Sequence, residues 1–418
     1  MGRRKRKIGW LSGLILAVAV IVLSLTGPEQ VIGHIKSGPG SQYDDQGHEA
    51  VLASAGHNFR QLRAGLIQKK ASGSLETLSA DRSALAVQSQ DQRRLIPGGQ
   101  SIGIRVATHG VLVVGYHLVP AASGKPPLSP GEIADIRIGD VITKINGTVI
   151  RNVADIQRII PAASSSRPLK IDVLRRNSLI RKNLVPVQNN GQNQLGLNIR
   201  DSASGIGTLT YYDPVTSGYG ALGHVISDHD TGQPILIRNG NILKASVMAI
   251  EKGVQGKPGE KIALFSDHAR TIGTVEENTP FGIFGHFEQP MQRNALNLQE
   301  ALPVAHPSQV REGPAKILTV LSGNRVQAFN IRILNAETQK KPGTKGLVIK
   351  ITDPRLLKVT GGIIQGMSGS PIIQNGMIVG AVTHVFVNDP TCGYGVHIEW
   401  MLRESGLEET RKSEERAS

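Results

Sequence analysis

Between residue 190 and about residue 405, the chain is a succession of short apolar segments separated by turns that contain Gly or Asn. Examples are "PILIRNGNILKASVMAI", "AKILTVL", "VQAFNIRIL" and "KGLVIKI". Many short strands at regular spacing are typical of a β-barrel or a β-sandwich. The composition agrees, because 48 of the 418 residues are Gly and only 4% are aromatic, which suits tight turns better than long helices. We therefore expect a mainly β fold, divided at this length into two or three domains.

The N-terminus carries a membrane signal. Five basic residues at positions 3–7 precede nineteen residues without a charge, at positions 8–26. This run is close to the roughly 20 residues that a helix needs to cross a bilayer, and it is longer than most signal-peptide cores. We expect residues 1–26 to form a transmembrane anchor with a cytoplasmic basic flank, so that the rest of the chain is exported. The alternative is a cleaved signal peptide, which also exports the chain. Residues 27–95, rich in Ser, Gly and Gln, predict a polar tether.

Residues 96–188 predict a separate domain of strands, turns and one amphipathic helix. The stretch "IRIGDVITKING" ends in an Asn-Gly turn, and "NVADIQRII" has apolar residues at helical spacing. These residues resemble a PDZ domain. The resemblance implies that Val114, Gly115 and Tyr116 belong to the loop whose N–H groups hold the terminal carboxylate of a peptide. The alternative is a small α/β domain whose glycines only form turns.

The most informative motif is "GMSGSP" at residues 366–371, between two apolar strands. It resembles the nucleophile loop of chymotrypsin-like serine proteases, and the strands and C-terminal helix that follow continue the resemblance. In this register Ser368 is the nucleophile, and Ser370 is its local competitor. The backbone N–H groups of Gly366 and Ser368 would stabilise the negative charge that develops on the substrate oxygen.

A serine hydroxyl becomes a strong nucleophile only with a base within hydrogen-bond reach. Among twelve histidines, His224 in "ALGHVISD" lies early in the protease-like block, where chymotrypsin-like enzymes place their base, and His286 is the alternative. A third residue orients the imidazole. Asp267 and Asp353 each follow an apolar strand, and the usual spacing of the chymotrypsin-like fold favours Asp267.

A closer resemblance covers nearly the whole chain beyond the tether. An anchor, a PDZ domain that precedes the protease block, "ALGHVISD" and "QGMSGSPI" together resemble the stage IV sporulation protein B family of endospore-forming bacteria. This resemblance implies a chymotrypsin-like double β-barrel over residues 189–405, followed by a charged tail at 406–418. It also implies that Asp353, shortly before the serine, completes the triad in place of Asp267.

The same resemblance implies a function. Family members are membrane-tethered serine endopeptidases exported from the forespore into the space between the forespore and mother-cell membranes. They cleave their own N-terminal region and then a membrane-bound inhibitor of an intramembrane protease, which releases processing of a late sigma factor. The tether would supply the self-cleaved region, and the PDZ domain would bind that region or the substrate. Two alternatives stay open: a general exported PDZ quality-control protease, and a non-enzymatic PDZ adaptor.

Other classes of partner are not predicted. The net charge of +14 could suggest nucleic acid, but five of the basic residues belong to the membrane-orienting N-terminus and no aromatic stacking platform accompanies the rest. One Cys excludes a disulfide framework and a Cys-rich zinc site. The sequence contains no P-loop, dinucleotide fingerprint or H-E-x-x-H motif, so we predict no cofactor and no metal.

Overall fold

The computed structural model describes residues 93–120, 126–161, 167–265, 271–288 and 300–406. The predicted membrane anchor, the predicted tether up to residue 92, the charged tail after Gly406, and Asp267 lie outside these ranges. Within the described residues, no helix has both the length and the apolar character needed to cross a membrane.

The described chain is mainly β, as the spacing of its apolar segments predicts. The strands are β1 Arg94–Pro97, β2 Ser101–Tyr116, β3 Val141–Ile145, β4 Thr148–Val149, β5 Leu169–Arg175, β6 Ser178–Leu184, β7 Val187–Asn189, β8 Gln192–Gln194, β9 Leu197–Tyr212, β10 Gly218–Ala221, β11 Ile237–Lys244, β12 Ser246–Glu251, β13 Glu260–Leu264, β14 Thr271–Val275, β15 Glu277–Thr279, β16 Gly282–His286, β17 Leu302–Pro303, β18 Gly313–Val320, β19 Val326–Ala336, β20 Leu347–Ile351, β21 Pro371–Gln374, β22 Met377–Phe386 and β23 Asp389–His397. The helices are short: α1 Pro130–Ile133, α2 Val153–Ile159, α3 Pro354–Thr360 and α4 Ile398–Glu404, with a 3-10 helix at Pro307–Gln309.

Strands β2 and β9, each 16 residues long, form an antiparallel pair that runs through the largest sheet. The first half of β2 also pairs with β11, and its second half pairs with β3. The two halves meet at an irregularity that contains Gly110, which has a φ of 94°. A Cβ at Gly110 would lie 2.5 Å from the carbonyl oxygen of Ile142, so a side chain has no room there. Strand β2, which starts inside the range predicted for the PDZ-like domain, therefore joins that domain to the first β unit.

The PDZ-like part consists of β3, β5 and β6 beside β2, and α2 adds Ile156 to its apolar core. The Asn152 side chain begins α2 by accepting a hydrogen bond from a backbone N–H in the first turn. Asp140, in the most recognisable PDZ motif, is buried and accepts hydrogen bonds from the backbone N–H of Arg137 and from the Arg175 guanidinium, at 2.7–2.8 Å. Since a buried carboxylate needs such partners, the motif aspartate stabilises the fold.

Two β units make up the rest of the described chain. The first is a half-barrel built on β9, β10, β11, β14 and β16, and the second is a closed barrel with the strand order β18-β19-β20-β23-β22-β21. Branched aliphatic side chains and one aromatic ring fill the closed barrel; among them are Ile317, Phe329, Ile349 and Ile372. The predicted mainly β fold is thus confirmed. Of the predicted chymotrypsin-like double β-barrel, the described residues form one closed barrel and one half-barrel.

Candidate active site

The predicted nucleophile motif lies in the loop between α3 and β21, and strand β9 holds this loop in place. The backbone N–H of Thr208 donates to the carbonyl oxygen of Ser368 at 3.0 Å, and its Oγ1 donates to the carbonyl oxygen of Gly366 at 2.6 Å. The Oγ1 of Thr210 donates to the carbonyl oxygen of Gly369 at 2.8 Å. Because three carbonyl groups of the loop bind one strand, the position of the loop is fixed relative to the first β unit.

Two glycines give this loop its shape. Gly366 and Gly369 have φ angles of 86° and 92°, in the left-handed region that favours glycine. A Cβ at Gly369 would lie 2.5 Å from the backbone nitrogen of Leu222 and 2.9 Å from its Cα. The nucleophile loop therefore packs directly against the segment that leads to His224.

The two serines of the motif differ in access and in bonding. Ser368 is half-buried, and its Oγ donates a hydrogen bond to the carbonyl oxygen of Thr383 at 2.8 Å. Ser370 is fully buried, and its Oγ has no hydrogen-bond partner among the described residues. The hydroxyl that a substrate can approach is that of Ser368.

The backbone donors beside Ser368 are also informative. The N–H groups of Gly366 and Ser368 have no acceptor in the described part of the chain, while those of Met367, Gly369 and Ser370 donate to carbonyl oxygens. An oxyanion hole requires free donors next to the nucleophile. The two predicted oxyanion donors are therefore available for a substrate oxygen.

His224 lies in the turn after β10, and the residue before it is a neighbour of Thr383. A Cβ at Gly223 would lie 3.0 Å from the Cγ2 of Thr383, the residue whose carbonyl accepts the Ser368 hydroxyl. The segments that carry His224 and Ser368 thus converge on one residue of β22. The Nδ1 of His224 lies 2.8 Å from the carbonyl oxygen of Val225. With the proton on Nδ1, the Nε2 atom is left to accept a proton.

A second imidazole lies beside His224. The ring centroids of His224 and His384 are 5.3 Å apart. Burial lowers the pKa of His224, and desolvation, followed by the charges of His224 and Lys345, lowers the pKa of His384. Both imidazoles are therefore neutral at neutral pH, which is the form that a general base requires. Within the described ranges, no group of three or more His, Cys, Asp or Glu side chains could hold a metal ion.

Asp353 is bonded to other groups. It is buried at the N-terminus of α3, where its carboxylate accepts hydrogen bonds from the backbone N–H of Arg355 at 3.0 Å and of Asn330 at 3.2 Å. The Arg355 guanidinium adds two more, at 3.0 and 2.8 Å. The hydrogen bonds from Arg355 lower the pKa of Asp353 to about 2. In this arrangement Asp353 is an N-cap residue.

The partners of Asp353 are therefore Arg355 and Asn330, and no hydrogen bond joins Asp353 to His224 among the described residues. The segments of Ser368 and His224, in contrast, share Thr383 as a neighbour.

The structure places the other predicted site residues as follows. His286, the alternative base, is exposed and lies 3.1 Å from Glu276, with no contact to Ser368 among the described residues. Val114, Gly115 and Tyr116 lie in strand β2 and not in a loop, because this part of β2 pairs with β9.

The sequence does not identify Thr208, Thr210 or Lys261 as residues of the site, nor does it indicate the role of the Thr383 backbone carbonyl. The two threonines of β9 alternate in "GTLTYY" as in any strand, so their contacts with the nucleophile loop have no sequence signal. Thr383 acts through its backbone carbonyl, which every residue has. Lys261 is one of many lysines, and only the structure shows that it is buried, at 4% exposure, beside Gly366.

The fold and the site together define a serine endopeptidase with chymotrypsin-like β units. More specifically, the chain belongs to the SpoIVB peptidase S55 family, whose model matches residues 191–402. A PDZ domain model matches residues 127–175. The family resemblance and the PDZ domain predicted from the sequence are thus confirmed.

The solved structures that match this chain include the Rv3671c protease in its inactive form, at 16% identity and a TM-score of 0.29, over 48% of this chain and 84% of that one. The active form of the Rv3671c protease from M. tuberculosis matches at 15% identity and a TM-score of 0.25, over 49% and 74% of the two chains. The HtrA-type protease AlgW with a decapeptide matches at 10% identity and a TM-score of 0.28, over 53% and 55%. Among curated proteins, none matches this chain.

Proposed function

We propose that this serine endopeptidase uses Ser368 as its nucleophile and His224 as its general base. The observation that supports this assignment is the convergence of their two segments on Thr383. The free N–H groups of Gly366 and Ser368 complete the proposal as the oxyanion hole.

The reaction would begin with a change of one hydrogen bond. The Ser368 hydroxyl exchanges the Thr383 carbonyl for the Nε2 of His224, and its oxygen attacks the carbonyl carbon of the scissile peptide bond. His224 takes the hydroxyl proton and then gives it to the leaving amine, which produces an acyl-enzyme. The N–H groups of Gly366 and Ser368 stabilise the tetrahedral oxyanion, and water releases the acyl group in a second, similar step.

The third residue of the triad is a separate proposal. The family resemblance assigns the role to Asp353, whereas the Val225 carbonyl oxygen is the partner of His224 Nδ1 in this arrangement. The contacts of Asp353 favour a role in holding α3, which leads directly into the nucleophile loop. The Asp353→Asn and Asp353→Ala variants described in the Discussion separate the two roles.

The biological role that we propose follows from membership of the S55 family. The peptidase would be anchored in the forespore membrane and exposed to the space between the forespore and mother-cell membranes. It would cleave its own N-terminal region, and then a membrane-bound regulator whose loss activates an intramembrane protease and starts sigma-factor processing during sporulation. Its PDZ domain would bind the cleaved region or that regulator.

Self-cleavage is tested with the full chain in membranes. The wild-type chain should shorten within its N-terminal region, as read from the intact mass and the new N-terminal sequence, while a Ser368→Ala chain should keep its full length. A Ser370→Ala chain is the matched control and should shorten like the wild type. Shortening of the Ser368→Ala chain would show that another protease or another residue makes the cut.

Substrate range is tested by comparing membrane proteins of sporulating cells with the wild-type chain or the Ser368→Ala chain. One or a few new N-termini in membrane-bound proteins would support the regulatory role. Cleavage of many unfolded exported proteins would support a quality-control protease in its place. The absence of any Ser368-dependent cut would support a PDZ adaptor without enzymatic activity.

A further inference from the structure

Lys261 is a buried lysine between the two β units. It lies on β13, and its side chain is 4% exposed. Its Nζ is 2.7 Å from the Oγ1 of Thr319, on β18 of the closed barrel, and 3.4 Å from the Oγ of Ser101, on β2 of the first unit. Within the described ranges it forms no ion pair. The amine tip therefore contacts one hydroxyl group from each β unit.

The stem of the same lysine supports the nucleophile loop. The Cβ, Cγ and Cδ of Lys261 lie 3.1–3.3 Å from the point that a Cβ of Gly366 would occupy. The backbone is joined as well: the N–H of Lys261 donates to the carbonyl oxygen of Gln365 at 3.0 Å, and the N–H of Gln365 donates to the carbonyl oxygen of Gly259 at 2.8 Å. Residues 259–261, at the start of β13, are thus joined by two hydrogen bonds to Gln365, the residue before Gly366.

We propose that Lys261 is a positioning residue that holds the N–H of Gly366 at the oxyanion hole. The stem fills the space against Gly366, and the two hydroxyl contacts of the Nζ keep the stem extended and tied to both β units. A shift of this stem would let Gly366 move away from the developing oxyanion, with no change at Ser368 or His224. The inference rests on the proposed role of Gly366 as an oxyanion donor.

The residue type fits this role. The unbranched side chain of Lys261 can run along the backbone of Gly366, whose φ is 86°. A β-branched side chain at position 261 would crowd this backbone. Burial without an acidic partner lowers the pKa of Lys261 to about 7. At neutral pH the amine is therefore uncharged in a large fraction of the molecules, and an uncharged amine can be buried without a counterion. A neutral amine both donates to and accepts from hydroxyl groups, which suits Thr319 and Ser101.

The proposal is tested with the full chain and a fluorophosphonate probe, which reacts with an activated serine and places its phosphonyl oxygen in the oxyanion hole. We expect Lys261→Ala to lower the maximal rate of labelling about tenfold or more. This is less than the roughly 10²–10³-fold decrease in rate that follows complete loss of one oxyanion donor, because Gly366 would be displaced and not removed. The probe concentration at half-maximal rate should stay the same. Lys261→Met, which keeps the stem, should restore the rate to within about threefold of the wild type, since the packing contact is retained.

Controls separate this proposal from the catalytic assignment. Lys257→Met changes an exposed lysine near the same hairpin and should label like the wild type. If the wild-type chain is not labelled, or if Ser368→Ala is labelled, the catalytic assignment is wrong, whatever Lys261 does. If labelling of the wild type requires Ser368 but the folded Lys261→Ala variant is labelled at the wild-type rate, the proposal for Lys261 is wrong. It is also wrong if Lys261→Met is as slow as Lys261→Ala, or if only the half-maximal concentration changes.

Discussion

The hydroxyl of Ser368 donates a hydrogen bond to the carbonyl oxygen of Thr383 at 2.8 Å. The Cγ2 of Thr383 lies 3.0 Å from the point that a Cβ of Gly223, the residue before His224, would occupy. One residue of β22 therefore neighbours both the proposed nucleophile and the segment of its proposed base. The hydroxyl of Ser368 is thus bonded to a backbone acceptor in this structure. In the mechanism that we propose, the Ser368 hydroxyl would leave this acceptor for His224 by rotation about its Cα–Cβ bond.

We predict that Ser370→Ala stabilises the protein without loss of activity. The Ser370 Oγ is buried and has no hydrogen-bond partner among the described residues, so its removal relieves the cost of an unsatisfied polar group. The expected gain in the free energy of unfolding is about 1 kcal/mol. Denaturant unfolding and fluorophosphonate labelling measure the two effects, with Ser368→Ala as the inactive control. Loss of labelling in folded Ser370→Ala would place the nucleophile at Ser370.

We predict that labelling of Ser368 persists below pH 6.5. The base must be neutral, and burial lowers the pKa of His224 from its ordinary value of 6.5, so His224 stays neutral to a lower pH than a free imidazole does. The acid limb of the labelling rate should therefore have its midpoint below 6.5. The rate is measured from pH 4 to 8 on the wild type, with His286→Gln as a control that keeps the same midpoint. A midpoint above 6.5 would contradict the buried environment of the base.

The sequence was sufficient for the parts of the site that depend on local backbone shape. Gly366 and Gly369 adopt left-handed φ angles that few other residues tolerate, so the motif predicts the loop from residue types alone. The same holds for the mainly β fold, because alternating apolar segments and Asn-Gly turns are local signals.

The parts that could not be predicted depend on contacts between distant segments. Thr208 holds a loop 158–160 positions away, and Lys261 reaches Ser101 across 160 positions, with nothing in the neighbouring residues to show it. The prediction that Val114, Gly115 and Tyr116 form a loop failed for the same reason. Their pairing with β9, more than 80 residues later in the chain, makes them part of a strand.

We predict that Asp353→Asn and Asp353→Ala differ in stability. Asp and Asn are equally good N-cap residues, because either side chain has an oxygen that can accept a hydrogen bond from the N–H of Arg355. Asp353→Ala loses this cap, at a cost of about 1 kcal/mol in the free energy of unfolding. The exposed Arg355 partner adds little to this difference. Thermal or denaturant unfolding of the two variants measures it.

The same pair of variants decides whether Asp353 belongs to the triad. If Asp353 only caps α3, Asp353→Asn should label at close to the wild-type rate, since the nucleophile loop stays in place. If Asp353 orients His224, both variants should lose about 10⁴-fold in rate, as Asp→Asn replacement in a serine-protease triad does. The hydrogen bonds of Asp353 to Asn330 and Arg355 lead us to expect the first outcome.

We predict that the stability of the protein rises between pH 7 and about 10.5, and that Lys261 causes part of this rise. The pKa of Lys261 is lowered from 10.5 to about 7 by burial, so within this window the unfolded chain binds a proton that the folded chain does not. More protons on the unfolded state mean that the free energy of unfolding increases with pH, by at most about 5 kcal/mol from this residue. Lys261→Met removes the titrating group and should flatten the rise, whereas Lys257→Met, at an exposed position, should leave it in place. Urea unfolding at pH 6.5, 8 and 9.5 measures the difference, and equal slopes for the wild type and Lys261→Met would show that Lys261 keeps an ordinary pKa in the folded protein.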